Sequence, residues 1–280
     1  MNSQITATVE PETPKAVRST DLVGHRVSWF STGVSSAVAT KLAIDEIDQI
    51  FYIHIDDQHP DTLRFVKECE SWFGKPITIM QSDKRNVSSA VLSAGGRGWI
   101  NGVGGAACTR ALKKRVRQEW EQANVELYPM RYYWGMDSDE KSRADRILQT
   151  MPEFQHAFPL IERGINKEEA HQILRASGIK RPAMYDLGYH NNNCIGCVKG
   201  GMGYWNKIRV DFPDVFASRA KLEREVGASC IKGVYLDALD PERGRHEPPI
   251  ADDCGIMCEL QALKPSEQPN ASATMPNNRI

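Results

Sequence analysis

The sequence predicts an α/β chain with a doubly wound, mainly parallel sheet and a cysteine-bearing C-terminal portion. Three observations carry that expectation. Residues 27–30 are β-forming, cross a run of Ser, Thr and Gly, and enter the helical pattern of Ala37, Val38, Lys41 and Leu42. Residues 49–55 give a continuous apolar run through Ile50, Phe51, Tyr52, Ile53 and Ile55, as in a strand buried on both faces. A helical pattern and a third short strand at 77–80 follow, so the order is β-α-β-α-β. Such sheets bind ligands at the C-terminal ends of their strands.

In chain order, residues 1–22 are polar and Pro-containing and read as a disordered leader. The first helix covers 34–47. The second strand ends in Asp56 and Asp57, and Asp61 or Thr62 caps a helix over 63–73 that Gly74 and Pro76 stop. Residues 87–103 are Gly-rich and show no decisive period. Residues 109–124 form a basic helix carrying Arg110, Lys113, Lys114, Arg115 and Arg117. A strand over 127–134 ends at Gly135, and a charged helix covers 137–150. Asn166 caps a helix over 166–177, with Glu169 at capping-box spacing. Residues 189–203, rich in Asn and Gly, form a structured loop. Residues 212–226 are helical, and from Asp240 the chain is mostly loop.

The composition suits a globular chain with a full core: 280 residues, 41% hydrophobic, 25% charged. A net charge of −1 gives no global field for nucleic acid. No apolar run reaches the roughly 18 residues of a membrane span, and no signal-peptide core precedes residue 20. We therefore expect a cytoplasmic chain with no membrane partner, where structural disulfides are uncommon. Seven cysteines then need another explanation. Cys69 lies in an amphipathic segment and is expected in the core. Cys108, Cys194, Cys197, Cys230, Cys254 and Cys258 fall in sequence typical of loops and sites.

The turn Ser31-Thr32-Gly33-Val34-Ser35-Ser36 joins a strand to a helix N-terminus, where backbone N–H groups and the helix dipole favour a phosphate. The competing reading is a Ser-rich helix cap. Asp56 and Asp57, at the next strand end, suit Mg²⁺ or the nucleotide, or else cap a helix. Cys108, Cys194 and Cys197 form the best metal constellation, with either Cys230 or no residue as the fourth ligand. A [4Fe-4S] cluster, a zinc site with four Cys ligands, and plain buried thiols are the alternatives. Arg143 and Arg146 reach a phosphate or form a solvated face. The basic helix contacts a nucleic-acid backbone or is solvated likewise. Tyr204 and Trp205 stack on a base or pack against the cysteine loop.

Five stretches, in order, resemble the PP-loop adenine nucleotide α-hydrolase superfamily, and within it the PAPS/APS (sulfonucleotide) reductases. Residues 31–36 are similar to the family's Ser-Gly-Gly-x-Asp-Ser loop, with Ser35 at the Asp-type position. Asp56-Asp57 with Pro60-Asp61-Thr62 resembles its Asp-Thr-Gly and Pro-Glu-Thr segment. Gly135 through Arg143-Ala144 resembles its Gly-x-Arg and Arg-Ala segment. Gly188-Tyr189 with Cys194-Ile195-Gly196-Cys197 resembles its Cys-x-x-Cys loop, and Asp253-Cys254-Gly255-Ile256 its C-terminal Glu-Cys-Gly tail. The departures are specific. Ala107-Cys108 stands where cluster-bearing members have a Cys pair, the loop after Cys197 is not Arg-rich, and Met257 replaces the tail's His.

The resemblance implies a PP-loop nucleotide-binding domain over 23–165, a helical and cysteine-loop portion over 166–262, and a disordered tail over 263–280. It implies ATP with Mg²⁺ at Ser31–Ser36, Asp57, Gly135 and Arg143, with Asp56 and Cys254 as catalytic candidates. Sulfur transfer would proceed as in the ATP pyrophosphatase component of DNA phosphorothioation systems, with a cysteine desulfurase or other sulfur donor and DNA or tRNA as partners. A reductase using Cys254 and thioredoxin is the alternative, and a catalytically silent nucleotide-binding subunit a third. A homodimer is a further expectation.

Overall fold

Side-chain alternation along the first strand already fixes the layering. In β1 (His25–Trp29), Val27 and Trp29 face one side of the sheet, while Ser28 faces the other and hydrogen-bonds Thr40 at 2.8 Å. The computed structural model describes residues 24–94, 99–102 and 105–244. Within them the main sheet is five-stranded and wholly parallel. Its strands are β1, β2 (Gln49–His54), β3 (Ile77–Gln81), β6 (Met130–Tyr133) and β7 (Gln155–Ala157). They are ordered β3-β2-β1-β6-β7. The chain runs outward from β1 to β3, then returns to place β6 on β1's other side. The strand order therefore reverses between β1 and β6, where a crevice opens at the strand C-terminal ends. This is the expected doubly wound α/β class.

Helices cover both faces. On one lie α1 (Val34–Leu42), α2 (Asp61–Phe73) and α7 (Lys167–Ala176), whose Val38, Phe65 and Leu174 share a core with Ile50 and Tyr52. On the other lie α4 (Arg115–Ala123) and α5 (Lys141–Thr150), whose Val116 and Ile147 meet Trp29, Phe51 and Tyr132. A third core forms beyond the sheet. It gathers α3 (Val87–Ser93), α9 (Met202–Asp211), α10 (Pro213–Val226) and the cysteine loop around Trp205, which is fully buried. Short helices α6 (Pro159–Glu162) and α8 (Ala183–Asp186) and the hairpin of β4 (Asn101–Gly102) and β5 (Gly105–Ala106) complete the described elements. Among the described residues no helix is long and apolar enough to cross a membrane.

The structure differs from the sequence expectations where tertiary packing outweighs local pattern. The first helix ends at Leu42 rather than residue 47. Helix α9 begins inside the segment read as loop, because burial of Tyr204, Trp205 and Ile208 offsets the weak helix propensity of its Gly-containing start. The Gly-rich stretch contains α3, capped by the Asn86 side chain on Ser89 N–H. Residues 137–150 split into a cap at Asp137, a tight turn over Ser138–Glu140, and α5. The basic helix opens with a π-helical run, Thr109–Lys114.

Asp61 is the first residue of α2 rather than its cap, since the N-cap is Pro60 and no side chain caps the helix. Its carboxylate accepts from Arg64 Nε at 2.6 Å and from Ala183 N–H at 2.9 Å. The Arg64 hydrogen bond, with that backbone donor, lowers its pKa from 3.8 to about 2. A depressed carboxylate stabilises the fold above its unfolded pKa and loses that contribution as pH falls through the folded one. Wild-type stability should therefore drop between about pH 3.8 and 2, and Asp61→Asn should lack this component, as urea denaturation across that range will show.

Candidate active site

The Ser31–Ser36 turn lies at the C-terminal end of β1, in the β1/β6 crevice. Gly33 is the N-cap of α1 and supplies no side-chain acceptor, so the first turn is not capped by its own residue. Thr32 has φ 65°, a left-handed conformation that costs a β-branched residue about 1–3 kcal/mol. Its surroundings hold it there. Asn192 Nδ2 donates to the Thr32 carbonyl at 3.0 Å, and Gln58 Nε2 reaches Thr32 Oγ1 at 3.5 Å. Ser36 Oγ accepts from Ser31 N–H at 3.1 Å, and Tyr185 Oη accepts from Val34 N–H at 3.2 Å. The hydroxyls thus brace a strained turn rather than cap the helix.

Gly135, two residues beyond β6, packs against this turn. A Cβ at Gly135 would stand 2.6 Å from Ser36 Cβ and 2.9 Å from Ser36 N, so any side chain there is excluded. This close approach brings Asp137 to the loop, where its Oδ2 accepts from Ser35 Oγ at 3.4 Å. Arg143 is brought near but turned inward, with its guanidinium on Glu140 at 2.7 Å.

The two candidate carboxylates on β2's exit are both engaged. Asp56 accepts from Gln81 at 2.7 Å and from Arg85 at 3.0 Å, and the Arg85 hydrogen bond lowers its pKa. Asp57 accepts the Val87 N–H of α3 at 2.6 Å and Arg219 at 2.9 Å, while its carbonyl accepts Ile195 N–H at 2.8 Å. Its carboxylate partners thus lie on α3 and α10.

Cys108, Cys194 and Cys197 converge on one small cavity with Lys113, Thr109 and the apolar Ile55, Val87 and Val198. The π-helical run brings residues five apart into register, so Cys108 and Lys113 both reach it. Gly196 has φ 69°, and a Cβ there would stand 2.7 Å from Val215, which explains glycine inside Cys-x-x-Cys. Tyr204 Oη accepts Cys197 N–H at 2.8 Å and donates to the Cys194 carbonyl at 3.3 Å, so Tyr204 packs the loop rather than stacking a base. Burial pushes the Cys194 thiol well up, and the nearby Lys113 ammonium opposes that shift. Cys230 stands outside this cavity; burial and Glu223 push its thiol up. Among the described residues no group of three His, Cys, Asp or Glu side chains is arranged around a single metal ion. Cys254 and Cys258 lie outside the described residues.

The phosphoadenosine phosphosulfate reductase domain pattern matches residues 25–200, more than half of the chain. The chain belongs to that family. The match runs from β1 through the Cys-x-x-Cys loop, which supports a nucleotide-binding PP-loop member. A comparison with curated proteins finds no match.

Sequence reading missed Asn192, Gln58, Tyr185 and Arg219, none of which lies near the turn in sequence. The run Asn191-Asn192-Asn193 carried a signal, since Asn in a structured loop often bonds backbone. The basic helix is not one solvent-facing stripe: Lys113 faces the cavity and Arg117 is buried beside Glu121 at 3.5 Å. Gly135→Ala should cost about 1–3 kcal/mol of stability through overpacking and weaken nucleotide binding. Urea denaturation and equilibrium nucleotide titration will measure both.

Proposed function

We propose that the chain is a PP-loop ATP pyrophosphatase that activates a nucleic-acid acceptor for sulfur transfer. The observation that supports this reading is the proximity of two sites. The phosphate turn and the three-thiol cavity are joined through the cysteine loop, by Asn192 on Thr32 and Ile195 on Asp57. ATP would lie with its α-phosphate at Ser31–Ser36, where N–H groups and the α1 dipole stabilise charge developing on the phosphoryl oxygens. An acceptor oxygen attacks the α-phosphorus and pyrophosphate leaves. A sulfur nucleophile then displaces AMP, which carries that oxygen away. Cys108, Cys194 and Cys197 would hold an iron–sulfur cluster, which supplies a place for sulfur to bind. Lys113 would balance thiolate charge, and the apolar lining would exclude water. A cysteine desulfurase or another donor would supply the sulfur, and DNA or tRNA would accept it.

The family match supports a second reading, reduction of a sulfonucleotide. There the Cys254 thiolate attacks sulfur, the nucleotide leaves, and thioredoxin reduces the thiosulfonate to free sulfite. Purified protein with ATP and Mg²⁺ should release pyrophosphate, and Cys194→Ser should lose visible charge-transfer absorbance. Sulfite release from PAPS or APS with thioredoxin, without pyrophosphate from ATP, would replace the first reading by the second.

A further inference from the structure

We propose that Thr109 is the hydrogen-bond donor to a sulfur atom carried in the three-thiol cavity, either an inorganic sulfide of a cluster or the terminal sulfur of a cysteine persulfide. The inference rests on the sulfur-transfer reading above and adds a positioning residue that no motif of the sequence singles out.

Thr109 is only 2% exposed, and its Oγ1 is buried with no hydrogen-bond partner among the described residues. It opens the π-helical run Thr109–Lys114 and lies three residues past strand β5, so no complete helical turn precedes it. A threonine deeper in a helix bonds a carbonyl of the turn before it, and that outlet is missing here. A buried hydroxyl left unmet is costly, so its retention points to an acceptor that the fold itself does not supply.

The walls of the cavity decide what that acceptor is. Thr109 lines it with Ile55, Val87 and Val198, which are apolar, and with Lys113, whose ammonium only donates. The other lining side chains are Cys108, Cys194 and Cys197, so sulfur is the one side-chain acceptor the hydroxyl meets. A thiol sulfur accepts weakly, and no bond from Thr109 to one forms in this structure. A sulfide or persulfide sulfur carries negative charge and accepts strongly. Hydrogen bonds to sulfur also help set the potential of an iron–sulfur centre. Persulfide loading balances without a further reagent. A cavity thiolate takes the terminal sulfur of a donor persulfide, the donor's S–S bond breaks, and the donor leaves as a thiolate.

The test compares wild type, Thr109→Val and Thr109→Ser as full-length proteins purified without oxygen. Iron with acid-labile sulfide and visible absorbance identifies the cluster as the sulfur source. Cyanide-labile sulfur after incubation with inorganic polysulfide identifies the persulfide. In whichever form wild type holds sulfur, Thr109→Val should lose it at least about ten-fold faster, to a ferrous chelator or to cyanide. Thr109→Ser, which keeps the hydroxyl, should hold sulfur as wild type does. The sulfur-free proteins should show no such loss. There Thr109→Val removes an unmet hydroxyl at nearly constant volume and should melt no lower than wild type. Sulfur retained as long in Thr109→Val as in wild type would overturn the proposal. So would a Thr109→Val protein destabilised equally with and without sulfur, which marks a structural hydroxyl. Wild type that holds neither kind of sulfur would overturn it as well, and pyrophosphate release from ATP would then leave the nucleotide half of the proposed function standing.

Discussion

Asp57 ties together four parts of the chain that are distant in sequence. Its carboxylate stabilises the positive end of α3 and neutralises Arg219 of α10, and its carbonyl anchors the cysteine loop at Ile195. Arg219 is almost fully buried and donates also to Ser88. A buried guanidinium needs an opposing charge, and Asp57 supplies it here, so the third core depends on the strand end that carries Asp57. This charge, read from sequence as serving Mg²⁺ or the nucleotide, or else a helix cap, meets the N-terminus of α3 and Arg219 in the structure.

The parts of the fold set by local pattern were legible. A strand buried on both faces reads as an apolar run, and the capping box of α7 and the αL glycine ending α2 read from residue type alone. The strand–turn–helix unit was legible because its residues are consecutive. What surrounds it was not, since Tyr185 and Asn192 reach the turn from more than 150 residues away. The inward rotation of Lys113 and Arg117 was hidden as well. A π-helical run shifts the phase of every residue after it, so helical periodicity misassigns the face.

The thiol cavity shows how burial and charge oppose one another. Desolvation holds Cys194 in its neutral form, whereas metal ligation needs the thiolate. Lys113 lowers that barrier, and an iron–sulfur centre would remove it by direct bonding.

One loop, residues 189–200, touches both sites: Asn192 steadies the strained Thr32, and Ile195 and Tyr204 fix the cysteines. Its two ends cannot relax independently. If occupancy of the thiol cavity tightens this segment, it raises nucleotide affinity, and thermodynamic reciprocity requires the nucleotide to strengthen thiol-site binding by the same factor. Sulfur loading and nucleotide loading would then be cooperative, so a molecule charged with only one of them would be under-represented at equilibrium.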